Sequence, residues 1–302
     1  SGHVRIYQYN NNSWSQLGED INGEAALDRS GSSVSLSSDG SRVAIGAYLN
    51  DGNGSDSGHV RIYDYNTSTD AWAQVGADID GEAANDESGA GFFSSCNSVS
   101  LSSDGSRVAI GAIYNDGNGS DSGHVRIYQY NNNSWSQLGA DIDGEAAFDN
   151  FGSSVSLSSD GSRVAIGAIQ NDGNGSNSGH VRIFDYNGSA WAQVGADIDG
   201  EQTGDYSGMS SVISSDGSRV AIGAQLNNNE NGINSGHVRI YTLSPGESYQ
   251  YAWDVDNGNN SAPSDGTYRA TVAGSDLAGN AYSGTDSITF TLDTSAPTVT
   301  LT

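Results

Sequence analysis

The sequence predicts an all-β chain assembled from copies of one repeated unit, and three observations carry that prediction. First, SGHVRI begins at residues 1, 57, 122, 178 and 235, steps of 56, 65, 56 and 57. Periodicity of this size is the mark of solenoids and propellers. Second, each copy carries two further landmarks in fixed order, WSQLG or WAQVG at 14, 72, 135 and 191 and SSDGSRVAIGA at 37, 102, 158 and 214. Third, the segments between landmarks alternate β-branched or aromatic residues with polar ones over five to eight positions, punctuated by Gly, Asn and Asp. That period belongs to strands and leaves no foothold for a helix.

Taken in order within a unit, SVSLS and SRVAIGA are strands one and two. They flank Asp39-Gly40 and its equivalents Asp104-Gly105, Asp160-Gly161 and Asp216-Gly217, a strong two-residue hairpin signal. HVRIYQY is strand three, and SWSQLGEDI or AWAQVGADI is strand four, reached through Asn-rich turns. Four antiparallel strands in about 56 residues match one blade of a β-propeller. In strand three Val60 and Ile62 point to one side and His59, Arg61 and Tyr63 to the other. Both faces therefore need a neighbour. The long 65-residue step comes from loops alone: two residues in TSTDAW and seven around GAGFFSSCNS.

The run DNFGSSVSLSSDGSRVAIGAIQNDGNGSNSGHVRIFDYN, residues 149–187, resembles an FG-GAP repeat, the blade unit of integrin alpha-subunit propellers and their relatives. Phe151-Gly152 match the FG, and Gly167-Ala168 match the start of the GAP, with Ile169 in place of its proline. The resemblance extends over residues 1–243. It implies a truncated arc: residues 1–24 as strands three and four of one blade, three full blades from about 28 to 201, and three strands of another over 205–243. A ring of four blades, with Trp14–Ile21 completing the last, is the alternative. Upstream blades are expected in a longer chain. From 244 to 302 the repeat stops, and DGTYRATVAGSDLAGN with ITFTLDTSAPTVTLT is similar to bacterial immunoglobulin-like tandem domains, which implies a small, incomplete C-terminal β segment.

The formal charge is −26, and the eleven basic side chains are all arginine. Such a surface repels phosphate backbones and anionic headgroups and attracts cations, so nucleic acid is excluded as a partner. No apolar run is long enough to cross a bilayer. The single cysteine, Cys96, excludes an internal disulfide framework and a thiolate zinc site.

Two motifs offer oxygens to a hard cation, and Ca2+ is the ion they suggest. One is the loop NDGNGS, where Asp51, Asn53 and Ser55, then Asp116, Asn118 and Ser120, then Asp172, Asn174 and Ser176 fall at spacing one, three, five. No carboxylate follows at the ninth or twelfth position. The other is the turn DIDGE, with Asp78, Asp80 and Glu82, and Asp141, Asp143 and Glu145, at alternate positions. Against both stands the reading of a solvated turn whose Asp accepts backbone N–H groups. In integrin relatives the calcium loop lies between strands one and two, where this chain has only the short SSDGSR.

The five histidines, His3, His59, His124, His180 and His237, occupy one repeat position, which points to a structural role. A catalytic pair needs unlike groups in one place, whereas nearly every ionisable residue here is copied unit by unit. Phe92 and Phe93 sit in the least repetitive loop and are the candidates for ligand contact. The expectation is a non-catalytic extracellular adhesion or recognition module at the cell surface, calcium-stabilised, binding a protein or carbohydrate ligand. A polysaccharide hydrolase or lyase and a passive spacer are the rivals.

Overall fold

A computed structural model describes residues 1–91, 97–228 and 232–243 in full, together with the backbone of three later strands. Every regular element in it is a β-strand. Strands β1 (His3–Val4), β2 (Tyr7–Asn10), β3 (Ser13–Gln16) and β4 (Ile21–Asn22) form the first part-blade. The first complete blade holds β5 (Ser33–Leu36), β6 (Arg42–Ala47), β7 (His59–Asn66), β8 (Ala71–Gln74) and β9 (Ile79–Asp80). The second holds β10 (Val99–Leu101), β11 (Arg107–Ala112), β12 (His124–Asn131), β13 (Ser134–Gln137) and β14 (Ile142–Asp143). The third holds β15 (Phe151–Leu157), β16 (Arg163–Ala168), β17 (His180–Tyr186), β18 (Trp191–Gln193) and β19 (Ile198–Asp199). The fourth is β20 (Ser210–Ile213), β21 (Arg219–Ala224), β22 (His237–Thr242) and β23 (Gln250–Tyr251).

Each complete blade is an antiparallel meander in the predicted order, with one refinement. The expected fourth strand is two strands, both paired to the third: β8 lies along the far end of β7, and β9 along its start, where His59 faces Asp80 and Val60 faces Ile79. Gly76, at φ +77°, lies between them and turns the chain out of the sheet. The Asp-Gly hairpins are held by their own side chains. Ser37 Oγ and the Ser41 amide both donate to Asp39 Oδ1, at 2.7 and 2.9 Å, which drives the Asp39 carboxyl down to about 2.

The apolar cores lie between blades. Val60 and Ile62 of the first blade join Val99, Leu101, Val108, Ile110 and Tyr128 of the second. Val125 and Ile127 of the second join Phe151, Val155, Leu157, Val164, Ile166 and Phe184 of the third. Val181 and Ile183 of the third join Ile213, Val220, Ile222 and Tyr241 of the fourth. One sheet cannot bury both of its faces, so stacking copies is what supplies the hydrophobic term. Where no further blade stands among the described residues, the same positions are open: Val238 is 68% and Ile240 58% exposed, against 0% for both Val181 and Ile183.

The ring alternative is corrected by pairing. Ser13–Gln16 pairs with Tyr7–Asn10 in its own part-blade, and the fourth place of the last blade is taken by Gln250–Tyr251, beyond the boundary expected at 243. The chain divides into two compact units, Ser1–Ala252 and Trp253–Thr302. In the second, β24 (Gly266–Thr271) and β25 (Ser287–Leu292) form an antiparallel pair, and the rest of the immunoglobulin-like expectation lies outside the described residues.

Candidate functional site at the blade seams

The chemistry-bearing residues gather where one blade meets the next. The DIDGE turn follows β8, and its Ile is buried, which anchors the turn and sends its acids in different directions. Asp78 turns toward His59 of its own blade, with Oδ2 3.7 Å from Nδ1. Glu82 turns toward His124 of the next blade, with Oε2 3.8 Å from Nδ1. The two belong to different seams, so alternate spacing along the chain does not gather them on one point.

Three clusters result, each taking one residue from the preceding unit and two from its own: Glu24, His59 and Asp78; Glu82, His124 and Asp141; Glu145, His180 and Asp197. Within each, one ligand atom per residue lies within 4.8 Å of the others. The imidazoles are 1% exposed, and the carboxylates are partly open to solvent. Burial, with the neighbouring arginine second, pushes His124 and His180 down to about 4, so both are neutral at pH 7. Burial also pushes the Glu82 and Glu145 carboxyls up, opposed by Arg126 and Arg182.

The strand-three arginines lock the seams. Arg126 Nη1 lies 3.4 Å from Glu82 Oε1, and its Nη2 donates to the Asp80 carbonyl at 2.7 Å. Arg61 and Arg182 repeat the pattern with Glu24 and the Asn22 carbonyl, and with Glu145 and the Asp143 carbonyl. The guanidinium fork fits this double task, which a lysine ammonium would not.

The NDGNGS loops do different work. The Asn53 amide donates to the carbonyls of Gly81 and Glu82, both at 2.9 Å, and so braces the acidic turn. Asn118 does the same for Gly144 and Glu145, and Asn174 for Gly200 and Glu201. Asp51, Asp116 and Asp172 accept the backbone N–H of Asp56, Asp121 and Asn177. Ser55, Ser120 and Ser176 are exposed at the loop tips. The Asp80 carboxylate lies over Gly52, where an added Cβ would come within 2.8 Å of it; Asp143 and Asp199 stand likewise over Gly117 and Gly173. Four residues after each turn's Glu comes another Asp, at 28, 86, 149 and 205, and it is structural: Asp149 is buried, and its Oδ2 accepts from the Ala146 amide and from Asn171 Nδ2. Phe92, Phe93 and Cys96 lie outside the described residues.

Sequence reasoning placed the histidines in structure and did not join them to Glu24, Asp197 and the acids of neighbouring copies. The signal was a His, an Asp and a Glu at equivalent places in each unit, the Asp 17 or 19 residues after the His and the Glu 35 or 42 before it, differences made by the loop insertions.

Residues 22–63 and 140–184 match the FG-GAP repeat family. No curated protein matches the chain. Among solved structures it is similar to a candidate 6-phosphogluconolactonase from Bacteroides fragilis, at 9% identity and TM-score 0.52, over 82% of this chain and 65% of that one. It is similar also to TolB from Acinetobacter baumannii, at 14% identity and TM-score 0.42, over 82% and 50%. A third is the β-propeller domain of the Trilobed protease from Pyrococcus furiosus, with an open velcro topology, at 13% identity and TM-score 0.42, over 73% and 56%. The chain thus spans between half and two thirds of the length of these proteins. Such identities speak to fold alone. With its stacked antiparallel blades the chain has a β-propeller fold, within which residues 22–63 and 140–184 match the FG-GAP repeat.

Proposed function

We propose that the chain is a non-catalytic extracellular recognition module that binds protein or glycan partners through loops repeated from blade to blade. The observation that supports this most is the NDGNGS loop. In three successive blades it is held by the same bonds and presents the same exposed Asp, Asn and Ser. Three like contacts spaced along an arc favour a ligand that is itself repetitive, since a second contact to the same ligand is gained at high effective concentration. The hydroxyl- and amide-rich, anionic surface suits polar ligands without phosphate. Among the described residues the ionisable clusters recur copy by copy, which supports a non-catalytic role over a hydrolase or lyase.

The test is binding of the purified chain to glycan and surface-protein arrays, repeated with Ser55, Ser120 and Ser176 all changed to Ala. The expected result is a repetitive ligand retained by the parent and weakened at least about tenfold by the triple variant. Silence across the arrays favours the passive spacer instead. One of the similar structures is a candidate lactonase, so turnover of a lactone or polysaccharide above the uncatalysed rate overturns the non-catalytic reading.

A further inference from the structure

We propose that each of the three complete seams is a binding site for a first-row transition-metal dication of the Zn2+ or Co2+ class, ligated by the strand-three histidine Nδ1, an oxygen of the same blade's Asp and an oxygen of the preceding unit's Glu.

The distances fit ligands that share an ion. His59 Nδ1 is 3.7 Å from Asp78 Oδ2 and 4.0 Å from Glu24 Oε2; His124 Nδ1 is 3.8 Å from Glu82 Oε2 and 4.0 Å from Asp141 Oδ2; His180 Nδ1 is 3.9 Å from Asp197 Oδ2. These separations are too long for hydrogen bonds. Two donors each 2.0–2.2 Å from one tetrahedral ion stand about 3.4 Å apart, so these His–carboxylate pairs need to close by about 0.3–0.6 Å and the widest pair in a cluster, within 4.8 Å, by no more than about 1.4 Å.

An independent observation comes from the imidazoles themselves. They are 1% exposed, and Nδ1 of His59 and of His180 has no hydrogen-bond partner although it faces the carboxylates. A buried polar atom without a partner calls for an explanation, and an ion is one.

The surroundings meet the remaining needs of a metal site. Arg61, Arg126 and Arg182 hold the other oxygen of each Glu, at 3.3, 3.4 and 3.3 Å, and fix which oxygen is left for the ion. Two carboxylates match the charge of the dication, and the one positive charge of the adjacent arginine is set against a chain of net charge −26, whose field draws cations in. The partly open carboxylates leave a path for entry and room for water as a fourth ligand. The nitrogen donor sets the class of ion: calcium takes six to eight oxygens, whereas imidazole suits zinc, cobalt and nickel. The last seam is a natural control. His237 Nδ1 lies 3.6 Å from Glu201 Oε2, and no third ligand completes the set among the described residues.

The experiment is titration of the full chain, freed of metal by a chelator, with Co2+ followed by visible absorption and with Zn2+ by calorimetry. The expected result is three ions per chain. Asp197→Asn should reduce this to two, and the triple variant Asp78→Asn, Asp141→Asn, Asp197→Asn should weaken binding at least about tenfold at all three sites. These acids are partly exposed, so the metal-free far-ultraviolet spectrum and melting temperature should stay as in the parent. His180→Gln, on the buried ligand, should also give two. No binding, or three ions retained in the triple Asn variant, overturns the proposal. Displacement of Co2+ by an equal concentration of Ca2+ overturns the assigned class.

Discussion

The indole N–H of Trp191 donates a 2.7 Å hydrogen bond to the backbone carbonyl of Leu138, one blade earlier. The bond recurs from Trp135 to Val75 and from Trp72 to Leu17, at 2.9 and 2.8 Å. Each tryptophan also pairs across its hairpin with a tyrosine, as Trp191 does with Tyr186 at 5.2 Å between ring centres. Trp191→Phe keeps an aromatic ring and removes the donor. It should lower stability by about 1 kcal/mol, read as a shift in the urea midpoint with unchanged slope. No shift would mean that the bond does not join the blades in solution.

Arginine on strand two makes a second tie, and the repeat supplies its own comparison. Arg163 grips Asp185 through Nε and Nη2 and donates from Nη1 to the Gly217 carbonyl of the next blade at 2.7 Å. In the second blade Gln129 stands opposite Arg107, which keeps the Gly161 carbonyl at 3.0 Å. Arg163→Lys should therefore cost about 1 kcal/mol, a figure reduced for the partly exposed carboxylate, and more than Arg107→Lys. Chemical denaturation of both variants checks the order, and a larger loss for Arg107→Lys contradicts it.

Burial first, and the Asp56 charge second, push the Glu87 carboxyl up to about 7 from 4.5. The folded chain therefore holds this proton more tightly than the unfolded chain, so stability falls as pH rises from about 4.5 to 7. Because Glu87 is only partly buried, the loss is discounted to about 1–2 kcal/mol. Glu87→Gln should raise the melting temperature at pH 8 and leave it nearly unchanged at pH 4. A variant that gains as much at pH 4 as at pH 8 would contradict this.

Much of the blade was legible because its signals are local. Asp39-Gly40 between two alternating runs fixed the first hairpin, and Val34 does pair with Ile45 as that hairpin requires. The side assignment of Val60 and Ile62 against Tyr63 also held, with the first two in one seam core and the third in another. The split of strand four was not visible, since Gly76 in QVGAD reads as one glycine in a continuous run until its left-handed backbone is seen. The seams were not visible for a different reason. Asp78, Asp80 and Glu82 look like one motif, yet the fold sends Asp78 back to His59 and Glu82 forward to His124, and only stacking decides that. Asn53 spaced after Asp51 suggests a ligand, and only the fold shows that its amide nitrogen also braces the Gly81 carbonyl.

Stacking itself is tested most directly at two glycines in identical RVAIGA strands. A Cβ added to Gly111 would lie 2.2 Å from the carbonyl oxygen of Gly152 in the next blade, whereas one added to Gly223, in the last described blade, meets nothing nearer than 3.7 Å among the described residues. The deciding measurement is the stability of Gly111→Ala beside that of Gly223→Ala, by chemical denaturation of the same chain. Blades packed face to face predict a loss of at least about 2 kcal/mol for the first and no loss, or a gain of about 0.5 kcal/mol, for the second. Equal effects at the two positions would contradict the stacked arrangement on which the seams, their cores and their clusters depend.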